Sequence, residues 1–195
     1  MTVLSALRVV PPSTEIDLAA AERSAADLLH ALGIETDTES LRGTPGRIAR
    51  AYAELFSAHE FDLTTFPNDE RYDELVLARS IPLRAVCEHH LLPFTGVAHV
   101  GYLPDDRIVG LSKLARVVEH FARRLQVQER MTVQIADWLE QELMPRGVGV
   151  VLSAEHTCMT IRGVLKPGAR TVTSALRGVL RDDPRTRQEL FSLVG

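Results

Sequence analysis

The chain has 195 residues, of which 45% are hydrophobic and 25% charged, and a formal net charge of -4. This length predicts one well-buried core, and the composition is typical of a globular protein. The mild negative charge argues against a protein that wraps nucleic acid, and no apolar run reaches the roughly 18 residues of a membrane span. Since the N-terminus lacks a secretory pattern, we expect a cytoplasmic protein without nucleic-acid or membrane partners.

Two helices are predicted in the N-terminal quarter of the chain. The segment STEIDLAAAERSAADLLHALG is amphipathic, with Ser13 or Thr14 as its N-cap and Gly33 as its stop. A second helix is expected to begin at Thr44, which would act as the N-cap, with Pro45 in its first turn.

Strands and helices then follow one another along the chain. After a predicted loop, FDLTTFPNDE, the segments ELVLARSIPLRAV and FTGVAHVGYLP read as strands on either side of the tetrapeptide CEHH. GLSKLARVVEHFARRL and ERMTVQIADWLEQELM carry apolar residues at helical spacing. CEHH is therefore predicted to lie at a strand end or turn.

The C-terminal third is predicted to return to strands and to close with a helix. PRGVGVVLSAEHTCMTIRGVL reads as two strands around Ser153 to Thr157, and TVTSALRGVL as another strand, although its Ala and Leu residues also suit a helix. Asp183 and Pro184 open a short final helix. This order of elements predicts an α+β domain with an antiparallel sheet.

Both cysteines of the chain, Cys87 and Cys158, lie close to histidines. Cys87 and His90 are spaced so that a turn can direct both at one metal ion, although a buried cysteine beside ordinary polar histidines is the simpler interpretation of CEHH alone. His156 precedes Cys158 by two residues, and in an extended strand both would face the same side. Two thiols with nearby histidines favour one metal site with an open fourth position, but spacing does not decide which histidine ligates.

Four blocks in order, CEHHLLPF, GLSKLARVVEHFARRLQVQER, EHTCMTIRG and KPGARTVTSALRGVLRDDPRTRQEL, resemble the GTP cyclohydrolase I family. The resemblance implies a tunnelling (T-fold) α+β subunit, with helices packed on one face of an antiparallel sheet, assembled as a homodecamer with active sites between subunits. It also implies hydrolysis of GTP to 7,8-dihydroneopterin triphosphate and formate, the entry step of tetrahydrofolate biosynthesis. We therefore expect an N-terminal helical extension (residues 1–43) and a catalytic T-fold domain (residues 44–195).

The resemblance also implies which residues hold the metal and which move protons. Carried onto this chain, it makes Cys87, His90 and Cys158 the ligands of Zn²⁺, and it leaves His89 and His156 for acid and base catalysis. Zinc can lower the pKa of a water molecule to about 7, and imidazole titrates where it can both give and take protons.

The substrate-binding residues follow in the same way. The family pattern makes Glu129 the acid that accepts two guanine N–H groups, with Gln128 beside it as a second candidate. For the triphosphate, GLSKLAR places Ser112, Lys113 and Arg116 at the start of a helix, where backbone amides already favour an anion, and Ser112 is also a catalytic candidate near the ribose. The family pattern adds Arg162 and Arg47, and it implies that Arg47 reaches the site of a neighbouring subunit. Without the resemblance, Glu129 would be interpreted as a helix-stabilising acid and the arginines as surface charges. The competing function is a zinc-stabilised GTP or pterin sensor without turnover.

Overall fold

The computed structural model describes residues 15–57 and 61–195, together with the backbone of residues 7–9. The described residues fall into two compact units, one made of residues 15–57 and the other of residues 7–9 and 61–195. The functional division into an extension of residues 1–43 and a catalytic domain of residues 44–195 stays a prediction.

The smaller unit is a pair of helices, α1 (Leu18–Ala31) and α2 (Thr44–Phe56). The N-cap of α1 is Asp17, whose carboxylate accepts a hydrogen bond from the Ala20 amide at 2.9 Å. The caps predicted at Ser13 and Thr14 lie outside the described residues. An aspartate at this position satisfies an amide of the first turn, so the helix begins there.

The ends of these helices follow the local signals of the sequence. Gly33, at φ 75°, lies just beyond α1 and confirms the predicted stop, because glycine adopts this left-handed conformation without steric cost. Pro45 lies in the first turn of α2 as predicted. The N-cap of α2 is Gly43 and not Thr44, which is the first helical residue.

The larger unit is built on a five-stranded sheet of order β7-β4-β5-β8-β9. Neighbouring strands are antiparallel except β4 and the short edge strand β7, which run parallel. Two small antiparallel pairs, β1 with β2 and β3 with β6, lie outside this sheet. The strands are β1 (Leu7–Val9), β2 (Phe61–Leu63), β3 (Thr65–Pro67), β4 (Val76–Cys87), β5 (Pro93–Leu103), β6 (Arg107–Val109), β7 (Leu125–Gln126), β8 (Gly147–His156) and β9 (Arg170–Gly178).

Helices α3 (Leu111–Ala122) and α4 (Gln128–Leu143) pack on the sheet and close the main core. Alternate residues of β8 enter this core, and so do the apolar positions that recur along both helices, which confirms their predicted amphipathic character. Representative core residues are Leu114, Val118, Ile135, Leu139, Val150 and Leu152, each 0% exposed. The α+β class and the antiparallel sheet with packed helices are thus confirmed.

The short helices complete the larger unit. They are α5 (Thr157–Thr160), α6 (Val179–Asp182) and α7 (Pro184–Val194). The Asp183 carboxylate caps α7, as the Asp-Pro pair predicts. The segment FDLTTFPNDE is not entirely a loop, because its residues Phe61–Leu63 and Thr65–Pro67 find strand partners far along the chain. Among the described helices, none combines the length and the apolarity that a membrane crossing requires.

His120 of α3 is buried and only partly hydrogen-bonded. Arg124 donates to its Nε2 at 2.9 Å, and since arginine has no acceptor, the proton of the neutral ring lies on Nδ1. Nδ1 has no hydrogen-bond partner among the described residues. Burial, and next the charge of Arg124, lower the pKa of His120 to about 4.

Because the pKa of buried His120 is lowered, we expect the protein to lose stability in acid. Between pH 6.5 and about 4 the unfolded chain binds a proton that folded His120 does not, so the free energy of unfolding falls as the pH decreases through this range. The full loss is on the order of 3 kcal/mol. Chemical denaturation of His120→Leu across this range should show a weaker pH dependence than that of the native chain. His30→Leu, which removes an exposed histidine of α1, is the control, and an unchanged slope in His120→Leu would contradict the prediction.

Candidate active site and metal centre

The predicted metal ligands and the two other predicted histidines gather where β4 and β8 end on either side of the start of β5. Phe94, near the start of β5, pairs with Ala85 of β4 on one side and with His156 of β8 on the other. The hairpin between β4 and β5 and the segment that follows β8 therefore lie at the same edge of the sheet. Segments that are about 70 residues apart in sequence are brought together by this register.

The CEHH tetrapeptide forms the turn that joins β4 to β5, as predicted. The Cys87 amide donates to Leu92 O at 2.9 Å, the Leu91 amide donates to Cys87 O at 2.9 Å, and Leu91 takes a positive φ of 55°. Cys87 is 7% exposed, whereas His89 and His90 are exposed. The turn thus holds one thiol at the core boundary and directs two imidazoles outward.

The prediction of two strands around Ser153 to Thr157 is wrong. A single strand, β8, ends at His156, and Thr157–Thr160 form the short helix α5. The Thr157 hydroxyl donates to Pro93 O at 2.5 Å, which ties this change of direction to the start of β5. His156 and Cys158 therefore do not lie on one strand face as predicted, and Cys158 reaches the site from a helical turn.

Cys87, His90 and Cys158 form a group of ligand atoms that lie within 4.8 Å of one another. Cys87 Sγ lies 3.9 Å from His90 Nδ1. Tetrahedral zinc with bonds of about 2.3 Å to sulfur and 2.0–2.1 Å to nitrogen needs its ligand atoms roughly 3.5–3.8 Å apart. The three side chains therefore fit such an ion after small rotations, as three protein ligands of a tetrahedral site.

The electrostatics of the two thiols also suit a cation. Burial raises the pKa of the Cys158 thiol, and the neighbouring Cys87 raises it further. Two thiolates so close together repel each other in a partly buried site. A divalent cation between them offsets this repulsion and favours the ionised form that binds metal.

His156 is held in one orientation and one tautomer. Its Nε2 lies 2.8 Å from Gln128 Oε1, and its ring stacks on Phe94 with centroids 4.5 Å apart. The Gln128 amide nitrogen donates to Leu152 O at 3.3 Å and Thr171 O at 2.9 Å, so the other amide atom is the acceptor. His156 Nε2 must then carry the proton, which leaves the lone pair on Nδ1.

The environment of His156 also affects its pKa. Burial lowers the pKa of His156, while the charge of Glu129 acts in the opposite direction. Glu129 is exposed in the first turn of α4, beside the buried Gln128, which is 1% exposed. The structure thus brings Glu129 to the same edge as the histidines. No local pattern indicates the inward role of Gln128, because its partners are 24 to 45 residues away in sequence.

His89 lies between a thiol and a carboxylate. Its Nδ1 is 3.7 Å from Cys87 Sγ, and its Nε2 is 4.0 Å from Glu88 Oε1. Arg130 of α4 forms an ion pair with the other oxygen of Glu88 and holds the pKa of the Glu88 carboxyl below its usual range. No local pattern of the sequence indicates a role for Glu88 or Arg130, since their contact depends on the tertiary fold.

The predicted phosphate-binding residues are not all brought to this edge. Arg162, exposed after α5, is close enough to influence the pKa of Cys158. Ser112 and Lys113 lie in the first turn of α3, and the Val109 amide just before it donates to Tyr102 Oη at 3.0 Å. Tyr102 is eight residues along β5 from Phe94, about 27 Å at the usual rise of a strand.

Arg116 lies one turn further along α3 than Ser112 and Lys113, and it is exposed. Arg47 belongs to the smaller unit, where its guanidinium donates to Ser40 O at 2.9 Å and Thr44 Oγ1 at 2.7 Å. Because Val109 bonds to Tyr102 at the far end of β5, the start of α3 lies at the opposite end of the sheet from the cysteine–histidine group of the same chain.

Comparisons with known proteins give a consistent result. The family model described as GTP cyclohydrolase I matches residues 21–195. A protein named GTP cyclohydrolase 1 from Streptomyces avermitilis is 55% identical over 185 residues, which cover 92% of each chain. Proteins of the same name from Mycobacteroides abscessus and Thermoanaerobacter pseudethanolicus are 51% and 50% identical, over 94% and 92% of this chain and 93% and 97% of theirs.

Among solved structures, the archaeosine synthase QueF-Like in its apo form is similar to part of the chain. The TM-score is 0.45 at 16% identity, over 53% of this chain and 93% of that one. The match of the family model over most of the chain, together with relatives at half identity, determines the family. This chain belongs to the GTP cyclohydrolase I family.

Proposed function

We propose that this protein is a zinc-dependent GTP cyclohydrolase I that converts GTP and water to 7,8-dihydroneopterin triphosphate and formate. The observation that carries the proposal is the group of Cys87, His90 and Cys158, flanked by His89 and His156, in a chain of this family. A sensor without turnover would not need two further histidines beside a metal group with an open position. The proposed location is the cytoplasm, where GTP is available.

Cys87, His90 and Cys158 would hold the zinc ion. When bound, zinc would supply Lewis acidity and lower the pKa of a water molecule to about 7. The three side chains come from two segments, the turn after β4 and the helix after β8, which the sheet brings together. This proximity supports their assignment as ligands, because binding of the ion would then be coupled to folding of the chain.

The two remaining histidines are suited to proton transfer at the guanine. His89 is exposed beside the metal group and is assigned the protonation of N7, which makes C8 more electrophilic. His156 carries its proton on Nε2, so its Nδ1 is the atom that can accept a proton during release of formate. Stacking on Phe94 and the bond to Gln128 keep this ring from rotating away.

Glu129 is assigned the recognition of guanine. A carboxylate accepts hydrogen bonds from two adjacent N–H groups, which the Watson–Crick edge of guanine offers. Its position in the first turn of α4, near His156, is consistent with a base bound between Glu129 and the metal group. Gln128 contributes through the orientation of His156, since its side chain is 1% exposed and its amide is already hydrogen-bonded inside the protein.

The triphosphate requires cations from more than one chain. Arg162 is the candidate within the same chain, whereas Ser112, Lys113 and Arg116 lie on the helix that begins at the far end of the sheet. GTP bound at the metal group does not span that separation. This supports a homo-oligomer, proposed here as a decamer, in which a second copy supplies the start of α3 and Arg47 comes from a neighbouring subunit.

The proposal is tested by incubating purified protein with GTP and measuring formate and dihydroneopterin triphosphate together. Both products should form, a zinc chelator should abolish them, and added zinc should restore them. Equal loss of both products on chelation would tie the metal to the hydrolytic step. If zinc-loaded, assembled protein binds GTP but releases neither product, the sensor function replaces the enzyme.

A further inference from the structure

Glu88 and Arg130 connect the two segments that carry the proposed active site. Glu88 lies in the turn between Cys87 and His90, and Arg130 follows Glu129 in the first turn of α4. The Arg130 Nη2 group donates to Glu88 Oε2. One ion pair therefore joins the metal-binding turn to the helix end assigned to guanine.

Arg130 makes further hydrogen bonds that fix its position. Its Nη2 also donates to Leu125 O at 3.2 Å, and its Nε donates to Gln126 Oε1 at 3.3 Å. A guanidinium presents its donors in a planar fork, so several acceptors restrict its orientation more than one does. Arg130 is thereby attached to β7 as well as to the turn.

Gln126 anchors this network in the core. It is 1% exposed, and its amide nitrogen donates to Phe121 O at 2.8 Å and to Gln134 Oε1 at 3.0 Å. The backbone carbonyl of Gln126 accepts a hydrogen bond from the Glu88 backbone amide at 3.1 Å. The turn, the end of α3, the edge strand β7 and the start of α4 thus share one set of hydrogen bonds.

The second oxygen of Glu88 faces His89. Glu88 Oε1 lies 4.0 Å from His89 Nε2, while His89 Nδ1 lies 3.7 Å from Cys87 Sγ. The carboxylate held by Arg130 is therefore on the side of the His89 ring opposite the metal group. A small closing movement would let it accept a hydrogen bond from Nε2 and limit rotation of the ring.

Exposure shows that stability is not the main contribution of this pair. The Glu88 and Arg130 side chains are 32% and 43% exposed, and ion pairs so accessible to solvent contribute little to folding. The reaction rate is more sensitive to the positions of the reacting groups, because a displacement of about 1 Å between them can lower a rate by about 100-fold.

We propose that Glu88 and Arg130 act together as a positioning pair for the reaction, an inference that rests on the proposed function. The pair sets the distance between the metal-binding turn and Glu129, and it orients His89. Neither residue is a catalytic residue, since both act through their neighbours.

The kinetic test uses Glu88→Gln, Arg130→Met and the double variant, each saturated with zinc. Each single variant should lower kcat by about 10- to 100-fold, with the Kd for GTP changed by less than about threefold. The loss of kcat in the double variant should be no greater than the larger of the two single-variant losses, because the same interaction is removed in all three variants. Arg181→Met, which removes an exposed ion pair on α6, is the matched control.

A second measurement does not depend on turnover. In zinc-free protein, hydrogen exchange of the turn residues 87–92, followed by mass spectrometry, should be faster by up to about fivefold in Arg130→Met and unchanged in Arg181→Met. Single variants with kcat within twofold of the native chain, or losses that multiply in the double variant, would overturn the proposal. If the native chain itself does not turn over GTP, the proposed function fails, while exchange still reports whether the pair holds the turn.

Discussion

Replacement of Cys158 by alanine is expected to abolish stoichiometric zinc binding and to lower kcat/KM for GTP by at least about a thousandfold. Catalysis by a metal ion supplies several kcal/mol to the transition state, and each 1.4 kcal/mol corresponds to a factor of ten in rate. Cys158 is one of three ligand atoms within 4.8 Å, and two protein ligands do not retain zinc well.

The fold should tolerate this substitution, since Cys158 is only half-buried at the edge of the core. Metal content is measured by atomic emission and activity by formate release, with Met159→Ala as the matched control. Met159 is the next residue of α5 and 38% exposed, so its replacement should leave both values close to those of the native chain. A Cys158→Ala variant that keeps one zinc per subunit would remove Cys158 from the ligand set.

Replacement of His89 by alanine is expected to lower kcat by about 100- to 10,000-fold, even when zinc is saturating. This range is typical for the loss of a residue that transfers a proton in the transition state. His89 Nδ1 lies 3.7 Å from Cys87 Sγ, so the zinc affinity should also fall, by the roughly 10- to 100-fold expected for a group that contacts a ligand. The Kd for GTP should change little, because Glu129 and the cations are intact.

His90→Ala is the informative comparison, because the two histidines are adjacent in sequence and both are exposed. It should lose zinc under conditions that saturate His89→Ala, as measured by competition with a chelator of known affinity. If His89→Ala lost the metal while His90→Ala retained it, the assignments of the two histidines would be exchanged. If both variants kept zinc and activity, neither assignment would stand.

The elements with strong local signals were predictable from sequence. The apolar residues of α3 and α4 recur at helical spacing, and the strands on both sides of CEHH are rich in apolar and β-branched residues. Burial of one face follows directly from such periodicity. The final helix was also predictable, since Asp183 and Pro184 are residues that begin helices.

The secondary-structure predictions were wrong where partners distant in sequence decide the local structure. Phe61–Leu63 and Thr65–Pro67 are strands only because β1 and β6 pair with them. The strand predicted through Cys158 ends at His156, where the chain turns into α5 and Thr157 bonds to Pro93. A strand signal in a short window does not include such contacts.

In the candidate site, too, some features were predictable from the sequence and others depended on contacts between distant residues. The sequence by itself determined the residue types: two cysteines with nearby histidines, an acid after QVQ, and cations at the start of a helix. It was sufficient to predict a metal site and, through the family resemblance, a reaction. Residue type and spacing were enough for this, because metal ligation and proton transfer depend first on which groups are available.

Only the tertiary structure decided how these groups are held. It placed Cys158 on a helical turn, committed Gln128 to His156, joined Glu88 to Arg130, and put the start of α3 at the far end of the sheet from the metal group. Each of these arrangements depends on sheet register and on hydrogen bonds between residues tens of positions apart. Such contacts form only when the whole chain packs, so no local pattern of the sequence could specify them.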